Sequence, residues 1–424
     1  MQSLMNWINK RLIPPLVAIA EERHIRAIRD GMQAVLPLIM VGSFALILGI
    51  FAQFIPAVQL KLGQGFIEIF NLTMGVMGLG AAFSVAYSLA KIYELDPQTT
   101  AIVSASAFLL SIPVTLMGDP SKGPVTDYTI ASRFLGGEGL IVGILVALLT
   151  AEVTRFFTRR RLTIRMPPGV PPGIAAPFQA IVPAAATLLI VWTVRVLLGI
   201  SIHDVVLRLV RPLLAATDTL PALLLAVLLI NLLWSVGIHG AMVVTSILLP
   251  LILPLLAANA EAAARGARVL PHVVTEGLVF WFVAIGGVGG TLGLVILMLR
   301  SKSARLRQVA RLSLLPAIFN INEPVIFGMP IMLNPMLFIP FILGTLVTTT
   351  IAYSAMALNL VGRVSAEVPF VLPFPIGAYM ATRDWKAIPL ACINLAINTA
   401  IWYPFYKSYE MQMLKAETSA EESV

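Results

Sequence analysis

The sequence predicts an all-α polytopic membrane protein with about ten transmembrane helices plus re-entrant hairpins. Of its 424 residues, 58% are hydrophobic and 12% are charged, and the mean hydropathy is +0.91. This charged fraction is about half that of an average soluble domain. Long charge-free runs also indicate a membrane protein, because crossing the hydrocarbon takes roughly 20 apolar residues as a helix. Lipid offers no partner to unpaired backbone groups, so these runs are predicted to be helical.

Charge-free runs supply the predicted crossings in order along the chain. Single crossings are predicted at 31–60, 69–90, 97–118, 166–194, 277–298 and 387–406. The run 219–260 is long enough for two crossings, and 324–362 contains one crossing plus a proline-containing segment. A shorter span around 139–150 brings the total to about ten.

Basic residues predict the orientation, because Lys and Arg near short loops are retained on the cytoplasmic side. Clusters of five basic residues lie within 10–29, 155–165 and 300–311. An even number of predicted crossings separates each cluster from the next, so both termini are predicted to be cytoplasmic. The net charge of +8 is therefore interpreted as a determinant of membrane topology and of attraction to anionic lipid, and not as a sign of nucleic-acid binding.

The sequence indicates neither metal nor redox chemistry. The single cysteine, Cys392, lies in an apolar run, which excludes a disulfide framework and a CxxC pair. The four histidines lack a metal-binding spacing, and the glycine-rich stretch at 286–293 lacks the lysine of a nucleotide loop. We therefore expect no cofactor and no metal site, and we interpret those glycines as sites of close helix packing.

The two halves of the chain differ in regularity. Residues 1–210 contain mostly uninterrupted spans and are predicted to form a scaffold and dimerisation half with helices 1–5. In residues 211–424, Gly and Pro interrupt the apolar runs at 234–240, 313–330 and 367–377. Each interruption frees backbone groups that must line a cavity or pair with protein. The binding site is therefore predicted in the C-terminal half.

Glu323 is the strongest candidate for a functional side chain. It borders the charge-free run 324–362, where a carboxylate is costly unless it faces protein, water or a ligand. Asn320 and Asn322 add amide donors and acceptors that suit a polyhydroxylated ligand. The alternative is that Glu323 pairs internally and stabilises a re-entrant hairpin.

His239 is a second candidate, between Gly237 and Gly240 in the charge-free run 219–260. A histidine in such a place can contact a ligand, or it can be an interior residue with its hydrogen bonds satisfied. From the residue alone both interpretations are open.

Four segments resemble one family of transporters. These are WSVGIHGAM at 234–242, NINEPVIFGMPIMLNP at 320–335, ATRDWKAIPL at 381–390 and IWYPFYKSYE at 401–410. They resemble enzyme IIC, the membrane component of bacterial phosphotransferase-system sugar permeases in the lactose and cellobiose (chitobiose) group. The resemblance covers nearly the whole chain. It implies a homodimeric, elevator-type carrier in the bacterial cell membrane, with a di- or oligosaccharide substrate and separate IIB and IIA phosphocarrier partners.

The resemblance also implies roles for particular residues. Glu323 matches an essential glutamate beside the C6 hydroxyl of the sugar, and His239 matches a histidine that contacts the sugar. A carboxylate in that place can accept the hydroxyl proton as the oxygen attacks a phosphoryl group, so Glu323 is the predicted catalytic residue. The predicted substrate-binding residues are Glu323, His239, Asn320, Asn322, Phe370, Gly237 and Gly240.

One segment departs from the family pattern. Where many members have Trp and two Thr, this chain has Phe370, Val371 and Leu372. The change removes an indole donor and two hydroxyls but leaves an aromatic face for stacking. We therefore expect the preferred sugar to differ from cellobiose, lactose or chitobiose.

The chain contains no predicted phosphorylating residue. In this family the phosphoryl donor is a cysteine of a IIB domain, and Cys392 has no basic neighbours that would lower its pKa. Phosphorylation is therefore expected to need separate proteins that dock on the cytoplasmic face. Two alternatives stay open: a proton-coupled sugar transporter that uses Glu323 and His239 as a proton relay, and a non-transporting membrane sensor.

Overall fold

The computed structural model describes residues 18–19, 21–52, 59–117, 127–164, 166–167, 172–235, 239–329, 331, 334–370 and 372–421. Most of these residues are helical, as predicted. The helices of the first half are α1 (Arg23–Ala52), α2 (Gln64–Thr73), α3 (Met77–Ile92), α4 (Pro97–Ser111), α5 (Leu140–Arg159), α6 (Pro172–Trp192) and α7 (Ile202–Thr217). Those of the second half are α8 (Leu220–Ser235), α9 (Gly240–Ala264), α10 (Glu276–Phe282), α11 (Leu292–Leu299), α12 (Ala304–Ile318), α13 (Glu323–Gly328), α14 (Pro335–Ala357), α15 (Phe374–Thr382) and α16 (Ala387–Glu421).

Within the described residues, seven helices are long and apolar enough to cross a membrane. The count is eight if α7 and α8, which are bent by 71° at their junction, form one span. The predicted crossing at 97–118 is shorter than expected, because α4 ends at Ser111. Pro113 disfavours helical geometry at the preceding residue. The chain continues as strand β1 (Val114–Met117), which pairs antiparallel with β2 (Asp127–Ile130).

The prediction of one continuous crossing at 277–298 is wrong. It consists of the short helices α10 and α11 with a glycine-rich loop between them. Gly286, Gly287, Gly289 and Gly290 all have positive φ, between 64° and 99°, a conformation that glycine adopts without steric cost. The glycines at 286–293 therefore break a helix as well as permitting close packing.

The chain folds as two compact units. The N-terminal unit comprises residues 19–215 and 245–258, and its helix α3 packs against α1, α4 and α5. Gly78 of α3 lies so close to the backbone that an added Cβ would be 2.8 Å from the carbonyl oxygen of Gly136. The Gly78 N–H donates to the Leu135 carbonyl at 2.8 Å. Buried Phe108 and Phe134 form part of a core with aliphatic side chains of α3, α4 and α5.

The C-terminal unit comprises, among the described residues, residue 18 and residues 216–244 and 259–421. Its helix α16 packs against α11, α14 and α15, and three of its side chains recur at helical spacing toward the loop between α10 and α11. Asn394 donates to the Phe282 carbonyl at 2.7 Å, and both Asn398 and Trp402 donate to the Gly289 carbonyl at 3.4 Å. These bonds satisfy backbone carbonyls that the broken helix leaves free.

Gly377 of α15 lies directly against the indole of Trp281, which is 1% exposed. An added Cβ would lie 2.1 Å from a ring carbon. We expect Gly377→Ala to lower the stability of the purified protein by about 1–3 kcal/mol or to prevent folding, because the core cannot accept the methyl group without shifting. Gly65→Ala on α2 is the matched control, since its Cβ would meet nothing within 4 Å. Equal thermal midpoints for the two variants would contradict this packing.

Candidate functional site

The segment NINE, residues 320–323, forms a tight turn between α12 and α13. Helix α12 ends at Ile318, and Asn320 has a φ of 61°, in the left-handed region. Asparagine tolerates this region better than most residues, because its short polar side chain hydrogen-bonds locally. Pro324 lies in the first turn of α13, where its missing N–H costs nothing. The sequence therefore specifies a helix end, a turn and a new helix that begins at Glu323.

The Asn320 side chain joins the turn to two other loops. Its Oδ1 accepts from the Gly286 N–H at 3.0 Å. Its Nδ2 donates to the carbonyl oxygens of Phe370 at 2.7 Å and Leu372 at 3.2 Å. Asn320 is 9% exposed, so these bonds are made away from bulk water. One amide thus connects the glycine-rich loop, the NINE turn and the loop that carries Phe370.

Asn322 makes a second connection to the glycine-rich loop. Its Nδ2 donates to the Val288 carbonyl at 2.6 Å, and its side chain packs on Gly287. A Cβ at Gly287 would lie 2.3 Å from Asn322 Cγ, so this contact requires glycine. The amide nitrogens of Asn320 and Asn322 are therefore used within the protein. The prediction that these residues contact substrate stays a prediction.

Glu323 differs from its two asparagine neighbours because its side chain is exposed. Among the residues that the structure describes, no hydrogen bond or ion pair involves its carboxylate. The turn that positions it is held by the side-chain amides of Asn320 and Asn322, which precede it in the chain. The carboxylate is thus accessible on a rigid support, an arrangement that suits ligand binding.

Phe370 lies beside this turn: its carbonyl accepts from Asn320, and the residue is 46% exposed. The ring stacks on Phe280 of α10, with centroids 6.0 Å apart and an angle of 27° between the planes. The exposed Phe370 and the exposed Glu323 carboxylate therefore lie on two segments that the Asn320 side-chain amide connects.

His239 lies at the junction of α8 and α9 and is exposed. Its Nδ1 accepts from the Met242 N–H at 3.2 Å, so His239 is the N-cap of α9. In the neutral ring the proton then resides on Nε2, which is left to donate to a ligand. The imidazole also contacts the Trp234 indole, with ring centroids 4.5 Å apart.

The two predicted site glycines near His239 are Gly237 and Gly240. A Cβ at Gly240 would lie 2.1 Å from the Ile230 carbonyl oxygen, so Gly240 permits the close approach of α8 and α9. Gly237 lies outside the described residues. Within the described chain, no hydrogen bond or ion pair joins His239 to Glu323. The structure thus groups Glu323 with Asn320, Asn322 and Phe370, and places His239 on a separate helix junction.

Sequence reasoning missed a pair of acids near this site. Glu276 begins α10 one turn before Phe280, and Glu367, 6% exposed, precedes Phe370 by three residues. Both lie outside the apolar spans. Burial raises the pKa of the Glu276 carboxyl to about 7. Burial, together with the adjacent Glu276, raises the pKa of Glu367 well above its ordinary value. The signal in the sequence was an acid at the edge of each of two apolar stretches, which are far apart along the chain.

These pKa shifts predict a pH dependence of stability. A carboxyl with a raised pKa keeps its proton in the folded state after the unfolded chain has lost it, so stability falls as pH rises from about 4.5 to about 7. We expect Glu276→Gln to unfold at a higher temperature than the wild type at pH 8. The difference should shrink at pH 5, where the carboxyl is neutral as well. Parallel melting curves at both pH values would contradict a raised pKa.

No group of three or more His, Cys, Asp or Glu side chains close enough for a metal ion occurs in the part of the chain that the structure describes. Cys392 is an exposed free thiol on α16. The described side chains of the candidate site offer amide groups, the exposed Glu323 carboxylate and aromatic rings.

Comparison with known proteins gives consistent results along the whole chain. The model of the family "Phosphotransferase system, EIIC" matches residues 29–345. The lichenan permease IIC component of Bacillus subtilis (strain 168) is 35% identical over 98% of this chain and 97% of that protein. The cellobiose-specific EIIC component of Geobacillus stearothermophilus is 35% identical over 100% of this chain and 98% of that protein.

A solved structure shows the same fold. The crystal structure of the transporter ChbC, the IIC component from the N,N'-diacetylchitobiose-specific phosphotransferase system, matches with a TM-score of 0.89 and 32% sequence identity. The match covers 97% of this chain and 99% of that one. The all-helical polytopic fold class predicted from the sequence is therefore confirmed.

Proposed function

Because this chain belongs to the EIIC family of the phosphotransferase system, it is a membrane sugar permease component, and we propose that it carries a disaccharide or β-glucoside. In this proposal the sugar's C6 hydroxyl is presented to a separate phospho-IIB protein, which is recharged by IIA. The observation that supports it is the exposed Glu323 carboxylate on a turn fixed by two buried amides.

Glu323 has two tasks in this proposal. Its carboxylate accepts a charge-assisted hydrogen bond from the C6 hydroxyl, which orients the sugar. As the hydroxyl oxygen attacks phosphorus, the same carboxylate accepts the proton, and the IIB thiolate leaves with the electron pair of the broken P–S bond. General-base assistance of this kind typically contributes about 10²–10⁴ in rate. The chain itself transfers no phosphoryl group.

The C-terminal half, 211–424, is proposed as the sugar-binding transport half and residues 1–210 as the scaffold and dimerisation half. All described members of the site lie in the C-terminal unit, which supports this division. We propose a homodimer in which the transport half moves as an elevator, with both termini in the cytoplasm. The basic clusters at 155–165 and 300–311 would then face the phosphocarrier proteins and anionic lipid.

The proposal is tested in liposomes that contain the purified full chain. We expect labelled β-glucoside to appear as sugar phosphate only when phosphoenolpyruvate, the general phosphocarriers, IIA and IIB are all supplied. Uptake that alkalinises the medium and needs no phosphoenolpyruvate would instead support the proton-coupled alternative, which family membership does not favour. Binding without uptake under either condition would support a sensor.

His239 is proposed to donate its Nε2 proton to the sugar while its Nδ1 caps α9. The variant His239→Asn separates these roles, since Asn is a good N-cap residue but has no donor at the distal position. We expect sugar affinity to fall about 10-fold while the melting temperature stays near that of the wild type. His239→Ala removes the cap as well and is expected to lower both quantities. Normal affinity in His239→Asn would show that the histidine is structural.

A further inference from the structure

A groove between α11 and α16 crosses the surface of the C-terminal unit and has a volume of about 610 Å³. On α16 its floor consists of the small side chains of Cys392, Ala396 and Ala400, which recur at helical spacing. Tyr403 lies at its C-terminal end, and Ile296 of α11 forms part of its wall. Because α16 is apolar enough to cross a membrane, this groove opens toward lipid acyl chains and not toward water.

The groove has the length of one leaflet of a bilayer. Trp385, just before α16, is 68% exposed, and Tyr403 on α16 is 50% exposed. Trp and Tyr are enriched where the hydrocarbon meets the headgroups. At the rise of an α-helix these two residues are roughly 27 Å apart, close to the roughly 30 Å of a hydrocarbon core. From Tyr403 to Cys392 the groove runs about 16 Å, so it extends from one interface to the middle of the bilayer.

Basic side chains gather at the Tyr403 end of the groove. Lys407 lies one turn farther along α16, with its Nζ 6.0 Å from the centroid of the Tyr403 ring. Glu410, which is 3% exposed, pairs with Lys407 at 2.7 Å. Its carboxylate also accepts from the Ser301 hydroxyl at 2.6 Å and from the Lys302 N–H at 2.9 Å. One buried carboxylate therefore holds the segment that follows α11 beside the C-terminal turns of α16.

This end of the groove carries more positive than negative charge. Arg300 and Lys302 are exposed, and within the described residues no hydrogen bond or ion pair involves their side chains. Together with Lys407 they provide three cations, against the single carboxylate of Glu410. Basic pockets beside transmembrane helices bind anionic lipid headgroups. The Tyr403 hydroxyl is a further donor for a phosphate oxygen.

Charge distinguishes the occupants that such a groove can have. A second copy, related by a two-fold axis along the bilayer normal, would present the same face of α16, so that Arg300 and Lys407 would meet like charges. A zwitterionic lipid fills the groove with an acyl chain but brings no net charge to the cations. An anionic phospholipid matches both the apolar groove and its basic end.

We propose that the groove between α11 and α16 binds one acyl chain of an anionic phospholipid, whose phosphate lies against Arg300, Lys302 and Lys407. Inside a bilayer the chain gains only close packing, so the headgroup determines which lipid is selected. The bound lipid would hold α11, which is one half of the broken helix, against α16. This lipid site goes beyond the proposed function and does not depend on which sugar the chain carries.

The test uses Cys392, the single cysteine of the chain, as a reporter at the deep end of the groove. A bimane fluorophore is attached to this thiol in the purified full chain, which is reconstituted in phosphatidylcholine. Phosphatidylglycerol brominated near the ends of its acyl chains is titrated in, in parallel with phosphatidylcholine brominated at the same carbons. We expect half-maximal quenching at about a fivefold lower mole fraction of the anionic lipid.

Two results of this titration would overturn the proposal. Equal quenching by the two lipids would show annular lipid without a selective site. Absence of quenching by either lipid would show that protein, such as a second copy of the chain, covers the groove.

Ala400→Phe tests whether the acyl chain lies in the groove. The new ring fills the recess, so we expect the preference for the anionic lipid to disappear. Ile393→Phe is the matched control, since Ile393 is also on α16 and is 51% exposed but does not line the groove. It should retain the preference. If Ala400→Phe does not fold, Ala396→Leu fills the same groove with a smaller side chain, and an unchanged preference in a folded groove variant would contradict the site.

The basic end of the groove is tested with the double variant Arg300→Gln and Lys302→Gln. We expect quenching by phosphatidylglycerol to approach that by phosphatidylcholine, whose own quenching should not change. The control is the pair Arg311→Gln and Lys415→Gln, which removes the same charge from exposed positions of the C-terminal unit outside this segment. An equal loss of preference in both pairs would indicate a diffuse surface potential and would exclude a headgroup site at Arg300 and Lys302.

Discussion

Glu323→Gln is expected to abolish sugar phosphorylation by the reconstituted system, with a rate loss of about 10²–10⁴. Glutamine has nearly the same shape and still accepts a hydrogen bond from a hydroxyl, but it cannot take the proton that the C6 hydroxyl loses. The side chain is exposed and has no hydrogen bond or ion pair among the described residues, so folding should be unaffected. Rates are measured as sugar phosphate formed per carrier with saturating phospho-IIB.

The control for this variant is Glu94→Gln. Glu94 is also exposed, lies at the end of α3 in the N-terminal unit, and is expected to be neutral for phosphorylation. Binding of methyl β-D-glucoside to Glu323→Gln is measured in parallel. We expect weaker binding, because a charge-assisted hydrogen bond becomes a neutral one. A phosphorylation rate within twofold of the wild type would exclude Glu323 as the proton acceptor.

The position of the candidate site along the chain is a prediction from sequence alone, made because a charged residue is energetically costly in an apolar run. Glu323 borders one such run, and that cost singles it out without any coordinates. The helices were predictable for a related reason, since lipid forces the backbone to satisfy its own hydrogen bonds. The predictions of Glu323 and of the helices both depend on the composition of long segments, and a single sequence is enough to show that composition.

The break between α10 and α11 could not be predicted in the same way. Hydropathy averages over a window, and glycine is compatible both with close helix packing and with a turn of positive φ. The choice depends on Asn322, Asn398 and Trp402, whose amides and indole satisfy the freed carbonyl groups. These partners are distant in sequence. Only the three-dimensional arrangement shows that the glycines form a loop.

Phe280 was not predicted as a site residue, because in the sequence a phenylalanine in an apolar helix cannot be distinguished from an ordinary core residue. It stacks on the ring of Phe370, which lies far along the chain. The two asparagines were predicted to contact the substrate, and that stays a prediction. Their amide nitrogens donate to backbone carbonyls of neighbouring loops, and residue type alone does not indicate this supporting role.

Asn320→Asp is expected to cause the second large effect, a loss of sugar affinity of at least about 10-fold together with lower stability. Aspartate also tolerates the left-handed backbone, and one carboxylate oxygen can still accept from the Gly286 N–H. The other oxygen, however, replaces the nitrogen that donates to the carbonyls of Phe370 and Leu372. Two hydrogen bonds become repulsive contacts at a residue that is 9% exposed.

The expected destabilisation exceeds the ~1–3 kcal/mol typical of a single unsatisfied buried group, because the new group is charged. Asn359→Asp is the matched control, since Asn359 also has a left-handed φ, 55°, but is exposed. Its charge is hydrated, so we expect little change in melting temperature or affinity. If Asn320→Asp binds methyl β-D-glucoside as the wild type does, the Phe370 loop does not need this amide. The Phe370 ring would then be positioned by its stack on Phe280 of α10 alone.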